Sequence, residues 1–171
     1  QQEKKIQIYN QMAQVLMGYD ATGSIQKFDE DGDLLAGDAK MEECFIIPFS
    51  RLLVKDEIKK ETFEMSLGVD ADYADALDEI ITISDLGAST EYRVNSPAGD
   101  YGILYATASD GATMNLSSTH TASINGDTYW YAGLLYYQAG VAVLTGSVFG
   151  ELIDPSTIEM NASADDIDAV L

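Results

Sequence analysis

Few side chains in this 171-residue sequence carry the chemistry of a catalytic centre, and their spacing decides whether they form one. The single histidine, His120, lies in Ser118-Thr119-His120-Thr121-Ala122. A nucleophile–histidine–acid arrangement needs an imidazole in reach of a hydroxyl or thiol and oriented by a carboxylate. Nothing in the spacing supplies that, and the Thr-His-Thr alternation reads as an exposed strand or loop. The single cysteine, Cys44, sits inside an apolar run over residues 43–49, so it reads as a small buried hydrophobe. One cysteine excludes an internal disulfide and a four-thiolate zinc site.

Carboxylates are the abundant reactive group. Asp29, Asp31 and Asp33 have the one-three-five spacing of a calcium loop. Leu34 stands where the sharp turn of such a loop needs glycine, and Lys40 where it needs a bidentate glutamate. A solvated hairpin turn accounts for the same residues. Asp70, Asp72, Asp75 and Asp78 match no metal template. Gly99-Asp100-Tyr101-Gly102 and Gly146-Ser147-Val148-Phe149-Gly150 lack the lysine or following helix of a phosphate loop. With 29 acids, carboxylate pairs of the glycosidase kind are inevitable, so no one pair is informative. The expectation is therefore no catalytic residue, no metal and no cofactor.

Two clusters suggest contact rather than reaction. Arg51, Lys55, Lys59 and Lys60 place four of the nine basic residues within ten positions of an acidic chain. Such a patch suits an acidic surface on a neighbouring molecule. Tyr129, Trp130 and Tyr131, followed by Tyr136 and Tyr137, offer ring faces of the kind that stack on sugars, or alternatively fill a core.

The elements that position these residues are mostly strands. Residues 3–17 contain neither proline nor glycine, and Ile6, Tyr9, Ala13, Leu16 and Met17 recur at helical spacing up to Gly18. This amphipathic helix packs on its own domain or pairs with a neighbouring subunit through Ile6, Tyr9, Ala13 and Leu16. Beyond it come strand candidates at 24–28, 43–49, 62–67, 80–83 and 102–107. The segments 133–137 and 141–145 flank Gln138-Ala139-Gly140, which predicts a hairpin with a three-residue loop. Asp31-Gly32 predicts another turn, and residues 69–79 an acidic insertion. Asp154-Pro155 predicts a cap and first residue of a new helix. Ser163, Asp165 and Asp166 fit a further helix start. A helix that stops at Val170-Leu171 reads as the ordered part of a longer polypeptide.

The fold expectation is mainly β, an antiparallel β-sandwich or open barrel with helical N- and C-terminal segments. Its divisions are an N-terminal helix over 1–20, a β-rich domain over 21–153 and a C-terminal helical segment over 154–171. Nine basic against 29 acidic residues give a net charge of −20. That balance argues against a nucleic-acid partner and against an anionic membrane surface.

One resemblance adds a function class. Its elements run from Phe49-Ser50-Arg51 through Lys55-Asp56-Glu57-Ile58-Lys59-Lys60-Glu61-Thr62-Phe63 to Ile83-Ser84-Asp85-Leu86-Gly87-Ala88. They continue with Gly99-Asp100-Tyr101-Gly102-Ile103-Leu104 and Gly133-Leu134-Leu135-Tyr136-Tyr137-Gln138-Ala139-Gly140-Val141-Ala142-Val143-Leu144-Thr145, which closes on a Tyr-x-x-Gly-x-x-Val-Leu hairpin. Over roughly residues 45–150 their order resembles a β-rich segment of large virion structural proteins of tailed bacteriophages, especially contractile-tailed marine ones. The resemblance implies a non-catalytic assembly part of neck, tail, baseplate, fibre or capsid surface. It also implies virion-protein partners, homo-oligomerisation and assembly in the host cytoplasm. The alternatives are a carbohydrate-binding β-sandwich using Tyr129, Trp130 and Tyr131, and a carboxylate-dependent hydrolase.

Overall fold

The computed structural model describes residues 2–32, 40–49, 57–68, 80–108, 121–146, 153–154 and 159–160. Seven antiparallel strands form one curled, half-barrel sheet. They are β1 (Cys44–Pro48), β2 (Glu64–Gly68), β3 (Ile80–Ser84), β4 (Tyr101–Ala108), β5 (Thr121–Ile124), β6 (Asp127–Tyr136) and β7 (Val141–Thr145). Their order across the sheet is β1-β7-β6-β4-β3-β2, with β5 paired to the outer part of β6. Two helices accompany them, α1 (Gln2–Leu16) and the single turn α2 (Ala88–Glu91).

β4, β7 and the second half of β6 are buried on both faces, which is why they read as continuous apolar runs. Tyr101, Ile103 and Tyr105 of β4, Leu134 and Tyr136 of β6, and Val141 and Val143 of β7 face one side. Ala13, Leu16 and Met17 of the α1 region and Phe28 cover that side. Leu104, Ala106, Ala132, Leu135, Tyr137, Ala142 and Leu144 belong to the other core. There the sheet's own outer strands close over them, through Phe45, Ile47, Met65, Leu67, Ile81 and Ile83. The cores thus use different covers, a helix on one side and curvature on the other.

A β-bulge sets which side each residue of β6 serves. Leu104 pairs with Gly133 but Tyr105 pairs with Tyr131, so Ala132 is an extra residue. Below the bulge the odd-numbered Tyr129 and Tyr131 face the helix-covered side; above it the even-numbered Leu134 and Tyr136 do. Gly133 permits the close approach this requires. Its φ is 143°, and a Cβ there would strike the Val143 carbonyl oxygen and lie 2.9 Å from the Leu144 Cα.

Helix α1 ends where expected. Gly18, at φ 81°, donates to the Ala13 carbonyl at 3.1 Å. The strands expected over 43–49, 62–67, 80–83 and 102–107 form, and Pro48 falls at the end of an edge strand, where its missing N–H costs no ladder bond.

Three expectations are corrected. Residues 24–28 form no strand; only isolated bridges occur, Tyr19 with Ile25 and Asp29 with Lys40. The Asp20 side chain accepts from the backbone N–H groups of Thr22 and Ser24, tying the chain locally instead of into a ladder. The 136–141 hairpin has a four-residue loop, because Tyr136 pairs with Val141. Tyr137 is lost from the strand because its N–H donates to Asp100 and its carbonyl accepts from Ile58. Finally, the helical segment expected from Asp154 onward is interrupted at residues 159–160, which are strand; residues 155–158 lie outside the described residues. Ile153–Asp154 (β8) pairs with Glu159–Met160 (β9) as a two-stranded ladder. The proline after Asp154 favours that extended backbone. The acidic stretch 69–79 and residues 161–171 lie outside the described residues.

Candidate functional site

The segments that carry the resemblance converge in space. Asp85, at the end of β3, is 1% exposed. Its Oδ1 accepts from the Phe63 N–H at 2.9 Å and its Oδ2 from the Glu61 N–H at 2.7 Å. Oδ2 also accepts from the Tyr137 hydroxyl at 3.0 Å. Burial raises the Asp85 pKa, and these three donors oppose that shift. Lys60 pairs with Asp100 at 2.9 Å and lies 4.4 Å from the Tyr92 ring centroid and 5.2 Å from that of Tyr137. The Asp100 hydrogen bond holds the Lys60 ammonium above its ordinary pKa. A shallow depression of about 190 Å³, lined by residues 61–64 and 84–86, opens beside this node.

Chemically, the node is a clamp. Asp85 spends its lone pairs on two backbone amides and one phenol, which fixes the 57–63 segment against the β3–α2 turn. Glu61 sits at φ 63°, a conformation rare for a non-glycine residue, and its N–H bond to Asp85 helps to hold it there. Tyr137 is fully buried and its phenol pKa is raised, largest by desolvation.

The other expected sites are dispersed. Asp29 is buried, forms an ion pair with Lys40 and titrates at about 6, because loss of solvent outweighs the attraction of Lys40. Glu30 accepts from the Thr145 hydroxyl at 2.5 Å. Asp33 lies outside the described residues, and among those described no group of three or more acids, cysteines or histidines could hold a metal. His120 also lies outside them. Cys44 opens β1 half-buried, and burial pushes its thiol up to about 12, so it stays protonated.

Of the basic cluster, Lys59 is exposed and Lys60 is engaged within the node. Arg51 and Lys55 lie outside the described residues. The aromatic triplet is divided by strand alternation. Tyr129 and Tyr131 pack on Tyr105, with ring centroids 6.4 and 5.6 Å apart, while Trp130 between them points to the opposite face. The three rings therefore do not share one platform.

Helix α1 has a similar division. Ala13 and Leu16 are buried in the domain's own core. Tyr9 packs edge-on to Phe28 and donates to the Met41 carbonyl at 2.8 Å. Of the four helix residues expected to meet a neighbour, only Ile6 is exposed. Ile8 and Val15, 57% and 64% exposed, form a second apolar line that the single-stripe reading missed. With Lys4 and Gln11 they follow the four-three-four spacing of a coiled-coil seam, and all four are exposed. Testing the helix for two stripes instead of one reveals it.

Comparison with protein families, with characterised proteins and with solved structures finds no match to this chain.

Proposed function

We propose that this chain is a non-catalytic structural part of a bacteriophage particle, acting through contacts with copies of itself and with other virion proteins. In this reading the half-barrel is an open barrel that begins with a helical segment, and it assembles in the host cytoplasm. The observation that carries the proposal is the outward seam of α1. Ile8 and Val15 lie two helical turns apart and solvent-exposed, on a helix whose opposite stripe is already docked on the sheet. Ionisable acids and bases other than tyrosine are absent from residues 6–19 of a chain with net charge −20. This is the stretch that meets another protein surface without setting carboxylates against it. β-Branched residues at one seam position favour helix pairing, and repeated or ring-closed contacts turn a modest patch into a large total interface.

The clamp supports the same reading. The motif residues from Lys60 to Tyr137 hold the domain's shape by bonding to each other. Light scattering over a concentration series, paired with mass spectrometry of the host particle, tests the proposal. Concentration-dependent oligomers that Ile8→Asp and Val15→Asp dissolve, together with the chain's presence in particles, are expected. A monomer at every concentration that is missing from particles overturns it.

A further inference from the structure

The tip of the β5–β6 hairpin carries a reactive pair that the functional reading leaves unused. Ile124 pairs with Asp127, so Asn125 and Gly126 form a two-residue loop, with φ of 55° and 96°. Asn-Gly suits this turn because both central residues adopt positive φ. Both are exposed, and no atom lies within 4 Å of where a Cβ on Gly126 would sit. Among the described residues, no hydrogen bond engages the Asn125 side chain or the Gly126 N–H. Asn125 is the sole asparagine of the chain followed by glycine; Asn10 precedes Gln11, Asn95 Ser96, Asn115 Leu116 and Asn161 Ala162.

We propose that Asn125 is a site of spontaneous covalent modification, converting to aspartate and isoaspartate through a cyclic imide with Gly126. The Gly126 backbone nitrogen loses its proton and bonds to the Asn125 Cγ. The Cγ–Nδ2 bond breaks, and Nδ2 leaves as ammonia carrying that proton. Water then opens the ring. Attack at Cγ restores the ordinary backbone with an aspartate; attack at the α-carbonyl routes the backbone through Cβ and Cγ as isoaspartate. No oxidant or reductant takes part, and the sum is one water consumed and one ammonia released. The absent side chain at Gly126 leaves the attacking nitrogen unhindered, and the free Asn125 amide can rotate to meet it. Each event adds one negative charge, and the isoaspartate form inserts an extra backbone atom into a turn that has room for two residues only.

The test is peptide mapping of the intact protein during prolonged incubation at neutral and mildly alkaline pH, with isoaspartate scored by fragmentation. Conversion at Asn125 is expected on the order of tenfold or more ahead of Asn10 and Asn95, and about tenfold slower after Gly126→Ala. Asn125→Gly keeps a turn-competent pair and is expected to retain the fold by circular dichroism while gaining no charge at this position. Two results would each overturn the proposal. One is an intact Asn125 amide when a free peptide of residues 121–130 has already converted. The other is equal conversion at Asn10, Asn95 and Asn125.

Discussion

The two faces of the sheet solve one problem by different means. On the helix-covered face, rings and aliphatic side chains from β4, β6 and β7 meet a separate element, α1, with side-chain bonds from Tyr9 to Met41, Ser96 to Leu16 and Tyr136 to Met17. On the other face the sheet covers itself, and a buried carboxylate at its rim ties the closing segment down. The contrast teaches that a helix can be docked by apolar area with a few side-chain hydrogen bonds, because most of its backbone hydrogen bonds are made internally. A segment without regular structure, such as residues 57–63, carries free amide groups and needs a fixed acceptor to be held against the sheet.

Four experiments break or sharpen that contrast. The largest effect belongs to Gly133→Val, since both cores meet at the bulge. A loss of more than about 4 kcal/mol, or failure to fold, is expected in urea denaturation followed by circular dichroism. A mild effect would mean that the bulge does not set the faces.

Next come the two covers. Leu16→Ala removes apolar contact under α1 and should cost about 3 kcal/mol. Asp85→Ala strands two amides and the Tyr137 hydroxyl, and should cost about 2 kcal/mol. Hydrogen exchange separates them. The first should free amides of α1, and the second those of residues 57–68. Loss of protection in the same place for both would erase the distinction.

A smaller effect follows from acid titration. Asp29 titrates at about 6 in the folded protein against an ordinary 3.8, so the folded state holds its proton more tightly than the unfolded chain. Its contribution to stability is greatest below pH 3.8 and is lost as the pH rises to about 6. Asp29→Asn should therefore flatten the fall in stability across that window. Asp85, also raised by burial, acts with the same sign on the other face. Last, Ile8→Gln with Val15→Gln should change stability by less than about 0.5 kcal/mol while abolishing self-association in light scattering.

Most of the central sheet was legible because its signal is local. Alternation in Thr62-Phe63-Glu64-Met65-Ser66-Leu67 and the apolar runs of β3, β4, β6 and β7 each report burial directly. β5 was not read as a strand because Thr121-Ala122-Ser123-Ile124 is weakly apolar, although Asn125-Gly126 is a strong turn signal. The four-residue loop and the Asp85 clamp were not legible for another reason. Their bonds join residues 22 to 79 positions apart, and two of Asp85's three donors are backbone amides that every residue possesses. Both stripes of α1 are present in the sequence, but the outer one holds only two apolar residues, Ile8 and Val15, alternating with Lys4 and Gln11, so its signal is faint beside the docked stripe.

The extra residue at Ala132 also governs how this protein can change in length. Above it, β6 is fixed by neighbours on both edges; below it, the strand runs out with β5 as an arm. Adding or removing a matched pair of residues on each side of the arm would preserve which way Tyr129 and Tyr131 point. Deleting Ala132 itself would remove the bulge and leave Tyr131 opposite Tyr105 as before. The molecule therefore has a built-in place where its reach can be lengthened in even steps while the body stays as it is.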